Sequence, residues 1–228
     1  MARPSRRRDR RKDFEFFFRE ARTAFQAIAE GDERSRAHRD LYGFYVASGG
    51  RDGVGDKDTV EAFFGSRPYG AVEERVTDGQ GMSVKRRRFL PEFGTTLSYQ
   101  CMANGAVLCT LHPAGAEGFR RRESGIVLSW IRNPHALTGR GTLERHWRSL
   151  VSYMEYTSLD GDPTWGDRLR VWWLLGSRGL IVDGKYEAPW GLSKLSLAGF
   201  FIFAVGLSGW LLAIVQWLMS GDPKPPHP

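Results

Sequence analysis

Two clusters of basic side chains are the densest concentrations of chemistry in the chain: Arg120, Arg121 and Arg122 in "GFRRRESG", and Lys85, Arg86, Arg87 and Arg88 in "GMSVKRRRFL". Forked guanidinium donors match phosphate oxygens, so either run could hold a phosphorylated ligand or an anionic headgroup. The strand expected to pair with Lys85–Arg88 carries Glu73 and Glu74, and cross-strand ion pairs would absorb part of that charge. The Arg120–Arg122 run has only Glu123 beside it, in a loop entering a strand.

The other reactive side chains make no constellation. Cys109 and His112 lie three apart on a strand, hence on opposite faces, and cannot act as nucleophile and base. His38, His112, His135, His146 and His227 show no metal-ligand spacing, and two cysteines do not make a zinc site. "GGRDGVGDKD" lacks the Lys-Ser/Thr of a phosphate-binding loop and the terminal Glu of a calcium loop, so it reads as a connector. Neither a metal nor a cofactor is expected. The enzymatic reading that survives is a membrane-tethered enzyme acting on a phosphorylated or lipid-derived substrate. Arg120–Arg122 would hold phosphate and His112 or His135 would serve as acid/base, which requires these residues to converge in one pocket.

The elements that must position these groups follow from periodicity. Behind Asp13, a good N-cap, Phe14, Phe17, Phe18, Ala21, Phe25 and Ile28 recur at helical spacing. A second helix is expected from about Arg34, with Ala37, Leu41, Phe44 and Tyr45 on one face, ending at Gly49-Gly50. A short third is expected at "DTVEAFF", where Asp58 and Glu61 have capping-box spacing. From Ala71 the pattern becomes strands: "AVEERVT", "GMSVKRRRFL", the two halves of "TTLSYQCMANGAVLCTL", and "GIVLSWI". A three-residue loop, Ala103-Asn104-Gly105, pairs Met102 with Ala106 and gathers Leu97, Tyr99, Cys101, Val107, Cys109 and Leu111 on one face. That register makes the cysteines diagonal neighbours, poorly placed for a disulfide. Helical periodicity returns in "TLERHWRSLVSYMEY" and in "DPTWGDRLRVWWLLG" behind Asp162 and Pro163. Trp172 and Trp173 belong either to the core or to a membrane surface.

The expected class is therefore α+β: an antiparallel meander of about five strands packed with amphipathic helices, plus one C-terminal transmembrane helix. Its expected divisions are a basic disordered tail (1–12), a helical segment (13–65), the sheet (66–135), a second helical segment (136–182), a juxtamembrane linker (183–194), the span (195–219) and a short outward tail (220–228).

The span is the clearest signal. Leu195–Met219 is 25 residues without a charge, in a chain of 228 with net charge +7. As a helix it measures about 37 Å, against about 30 Å of hydrocarbon. Along it Gly199, Ile202, Gly206, Gly209, Ala213 and Gln216 trace one mostly small stripe, suited to self-association or to another membrane protein. Arg178, Lys185 and Lys194 precede the span, while only Lys224, offset by Asp222, follows it. The positive-inside bias then places the main domain in the cytoplasm and the C-terminus outside, as a single-pass, tail-anchored protein. The start of the chain carries acids and helical periodicity rather than an uninterrupted apolar stretch, so no signal peptide is expected. The Arg-rich, Lys-poor composition points to a bacterium and its inner membrane.

The charge sits at one end. Seven Arg and Lys against one Asp occupy residues 1–12, leaving the rest of the chain near neutral. This argues against a nucleic-acid-binding fold and leaves Arg6, Arg7, Arg8, Arg10, Arg11 and Lys12 to membrane lipid or topology setting, with a featureless solubilising tail as the alternative and nucleic acid as the least expected partner.

Overall fold

The computed structural model describes residues 4–51, 56–77, 83–119 and 121–189. Residues up to 188 form one compact unit. Among the described residues this unit is α+β, with four α-helices and antiparallel sheets of ten strands.

Helix α1 spans Pro4–Glu30 and buries Phe14, Phe17, Ala21, Phe25 and Ile28 of the predicted stripe, with Phe18 half-buried at its margin. It starts well before Asp13, so residues 4–12 are helical turns rather than a disordered tail. The second expected helix is shorter: a 3-10 turn at Glu33–Ser35 leads into α2 (Arg36–Tyr42), which ends at Gly43. Phe44–Ser48 then forms strand β1, and Thr59–Phe64, expected as a helix, is strand β2. Val60, Ala62 and Phe64 are all buried, so period-two burial overrides the acid spacing that imitates a capping box.

Strands β3 (Ser66–Thr77) and β4 (Ser83–Phe93) form the long expected hairpin and, with the two-residue β7 (Gly115–Ala116), a separate sheet. Strands β5 (Thr96–Cys101), β6 (Val107–His112), β8 (Gly125–Ile131), β9 (Gly179–Val182) and β10 (Lys185–Glu187) join β1 and β2 in the main sheet. Its order is β1-β2-β5-β6-β8-β9-β10, so neighbours follow chain order and all pair antiparallel. The meander thus has seven strands rather than about five, with the β3–β4 hairpin and the C-terminal helices as excursions. The expected linker 183–194 begins inside it, because β10 continues the sheet.

The β5–β6 register is the predicted one: Cys101 faces Val107, Tyr99 faces Cys109, and the Met102 N–H donates to the Ala106 carbonyl at 2.8 Å. Gly105 turns the chain at φ +76, a conformation that disfavours a side chain. A Cβ there would lie 2.9 Å from the Cβ of Arg10, so the first turns of α1 rest against this hairpin tip.

Between β8 and β9 lie α3 (Arg140–Thr157) and α4 (Trp165–Ser177). Leu143, Trp147, Leu150, Val151 and Met154 of α3 are buried, as their spacing predicted. Helix α4 starts at Thr164 rather than at Asp162-Pro163. Its Thr164 and Asp167 side chains cap each other's backbone reciprocally. Aromatic contacts weld α1 and α3 to the sheet: Phe17 lies 5.1 Å from Tyr99, and Phe44 lies 4.9 Å from Trp147, centroid to centroid.

Candidate functional site

Beneath the sheet, β5, β6, β8 and α3 converge on one buried polar cluster. His146 Nδ1 lies 2.9 Å from the Tyr99 hydroxyl and 3.6 Å from Cys109 Sγ, and its Nε2 lies 3.3 Å from Ser129 Oγ. Ser129 reaches the cluster through a β-bulge: the β6–β8 register shifts between Cys109 and Thr110, leaving Leu128 unpaired and turning Ser129 to the helix side. Cys109 therefore has a histidine neighbour, and it is His146 on α3 rather than His112.

The electrostatics of this pair oppose catalysis. Burial pushes the Cys109 thiol well above its ordinary range, and burial, with Arg145 and Arg178 adding repulsion, lowers His146 to about 4. An activated pair needs thiolate and imidazolium; here both groups are held neutral. Both cysteines are buried and free. His112 is engaged by the Ser124 carbonyl at Nδ1 (2.8 Å) and by Thr110 Oγ1 at Nε2 (3.2 Å), on the other face of the sheet. His135 is exposed in a 3-10 turn (Pro134–Leu137). Among the described residues no cluster of His, Cys, Asp and Glu is arranged to hold a metal.

The basic runs are largely engaged by acids. Lys85 pairs with Glu73 (3.5 Å), and Arg88 is gripped by Glu74 and Glu117, each at 2.7 Å. Arg86 and Arg87 stand opposite Glu74 and Glu73 on β3, and Arg87 also lies over the Phe89 ring. Arg121 donates to the Tyr156 carbonyl at 2.9 Å and covers the Tyr156 ring, while Arg122 pairs with Glu187 at 2.9 Å. Arg120 lies outside the described residues. Arg121 and Arg122 line an open depression of about 660 Å³, where Glu117, Glu123 and Asp183 line it too. Neither His112 nor His135 is among its lining residues, although Pro113 and Ser124, the latter bonded to His112, are.

Arg6, Arg7, Arg8, Arg11 and Lys12 are exposed on the first turns of α1, where Arg10 is half-buried and Arg11 approaches Asp58 at 3.7 Å. The stripe at Gly199, Ile202, Gly206, Gly209, Ala213 and Gln216 lies outside the described residues. Among the described residues, no helix is long and apolar enough to cross a membrane.

The surface that sequence periodicity left ambiguous is on α4. Its inner face, Asp167, Val171 and Leu174, is buried. Its outer face carries Trp165, Leu169, Trp172 and Trp173, exposed at 81%, 62%, 65% and 58%. Their spacing of four, three and one draws a single stripe, opposite the buried side, with Arg168 and Arg170 along its two margins. Trp172 and Trp173 are thus excluded from the core. At the end of α4, Gly179 leaves room for the Tyr186 ring of β10; a Cβ at that position would lie 2.2 Å from the ring.

No protein-family model, curated protein or solved structure matches this chain.

Proposed function

We propose that this is a single-pass protein of the bacterial inner membrane, anchored by residues 195–219, with its α+β unit in the cytoplasm and its C-terminus outside. The unit serves as a sensing or docking domain, and the protein works as an adaptor, a complex subunit or a membrane effector. One observation carries the reading: 25 consecutive residues without a charge, flanked by basic residues on the N-terminal side. The stripe at Gly199, Gly206, Gly209, Ala213 and Gln216 supports assembly in the membrane, since small residues let helix backbones approach and an amide can bond across the contact. The neutral Cys109–His146 pair and the acid-paired arginines favour this docking role over the enzymatic alternative.

The test is complex size in mild detergent. The double variant Gly206→Leu/Gly209→Leu is expected to lose the oligomer or co-purifying partner of the parent chain. An unchanged complex would remove the assembly claim.

A further inference from the structure

We infer that the outer face of α4 is an interfacial lipid-binding surface that lays the α+β unit against the headgroup region of an anionic bilayer. The inference rests on the membrane-anchored reading and extends it from the anchor to the orientation of the domain.

Three observations carry it. The first is the chemistry of the stripe. Trp165, Leu169, Trp172 and Trp173 leave three indoles and a leucine in solvent on one helix face, although the opposite face of the same helix already packs on the core. Indole rings are amphipathic and settle at the boundary between headgroups and acyl chains. A helix with one such face and basic margins has the composition of an element lying in the interface plane.

The second is charge. Arg168 and Arg170 border the stripe, and Arg178 and Lys185 follow on the same run of chain. Of the acids nearby, Asp167 is buried and bonded to Arg34 and Glu187 is paired with Arg122, while the exposed Asp162 and Asp183 lie outside α4. The surface therefore presents apolar rings between cations, which complements lipid phosphate and acyl chain together. A protein partner would not require that pairing.

The third is tether length. Helix α4 runs directly into β9, and β9 pairs with β10 at the edge of the sheet. Seven residues, 188–194, separate β10 from Leu195. A fully extended chain covers about 28 Å over that stretch. An anchor beginning at Leu195 thus keeps this edge of the sheet within reach of the headgroups. Exposed Tyr186 on β10 belongs to the same edge.

The test places a nitroxide on the stripe through Leu169→Cys in the full chain; the native Cys101 and Cys109 are buried. The labelled protein is reconstituted into vesicles of phosphatidylcholine and phosphatidylglycerol. Flotation reports anchoring, and power saturation with oxygen and with a nickel chelate reports the depth of the label. The expected result is co-flotation with oxygen accessibility several-fold above chelate accessibility. Adding Arg168→Glu and Arg170→Glu is expected to shift the label toward water without loss of flotation. Co-flotation with a chelate-accessible label overturns this inference and leaves the anchor standing. Spin–spin broadening that disappears on lipid dilution also overturns it, because a second copy then covers the face. Failure to float overturns both readings.

Discussion

Asp167 of α4 accepts two hydrogen bonds from the Arg34 guanidinium, at 2.8 and 2.9 Å, across 133 positions of sequence. The contact ties the helix that carries the tryptophan stripe to the turn that follows α1. The same carboxylate completes the reciprocal cap with Thr164, so one buried side chain both starts α4 and fixes its rotation. Because Asp167, Val171 and Leu174 face inward, the stripe at Trp165, Leu169, Trp172 and Trp173 has to face outward.

Replacing Asp167 by Asn should cost about 2 kcal/mol, from a weakened cap and a weakened charge-assisted bond to Arg34. The effect is pH-dependent. Burial alone would raise the carboxyl, but hydrogen bonds from Thr164, Arg34 and Ser152 outweigh it and hold the group at about 2, below its ordinary 3.8. A depressed acid contributes stability above pH 3.8 that is lost as pH falls toward 2. Denaturation midpoints between pH 5 and 2 should fall more steeply for the parent than for Asp167→Asn; parallel slopes would refute this.

His146 predicts a second acid-side loss at higher pH. It is neutral in the folded protein and takes a proton only near pH 4, whereas an unfolded histidine does so near 6.5. Stability from this source is intact above 6.5 and declines as pH falls to about 4, where the folded imidazole must charge in a buried site. His146→Gln should flatten the stability profile in that window. Iodoacetamide at neutral pH should leave Cys109 unmodified in the native chain and modify it in denaturant; rapid native labelling would contradict a neutral buried thiol.

Glu92 is a buried carboxylate at the root of the β3–β4 hairpin. It accepts from Arg67 at 2.8 Å and from the Leu159 N–H at 2.7 Å, and Arg67 reaches on to Asp160. Glu92→Ala leaves the Leu159 amide without its acceptor and the largely buried Arg67 with Asp160 as its remaining acid, for an expected loss of about 2 kcal/mol measured by denaturant titration. A change under about 1 kcal/mol would mean that the hairpin root is wet.

The early turns of α1 make a further prediction. Amides of residues 8–12 should show slowed hydrogen exchange, unlike a disordered tail. Gly105→Ala should cost about 1–2 kcal/mol, since it places a Cβ at φ +76 against Arg10. Free exchange at residues 8–12 would refute the helical assignment.

How far these features were legible in the sequence depended on range. The β5–β6 register was readable because Leu97, Tyr99 and Cys101 alternate and Asn104-Gly105 marks the turn. The α1 and α3 stripes were readable because their apolar residues recur every three or four positions. Strand β2 was misread because Asp58 and Glu61 imitate a helix start, although Val60, Ala62 and Phe64 alternate. The Cys109–His146 contact joins a strand to a helix 37 residues on, and a bulge aims Ser129 at it; no local spacing encodes that meeting. Helix α4 is apolar on both sides, so periodicity alone could not say which side the core takes. The buried Asp167 decides it, through a partner that only the fold brings near.

The most direct test of the membrane-anchored account is carbonate extraction of the full chain from bacterial membranes, beside a variant lacking residues 190–228. The account predicts that the full chain stays in the membrane pellet at alkaline pH and the shortened chain does not. Release of the full chain into the alkaline supernatant would contradict it.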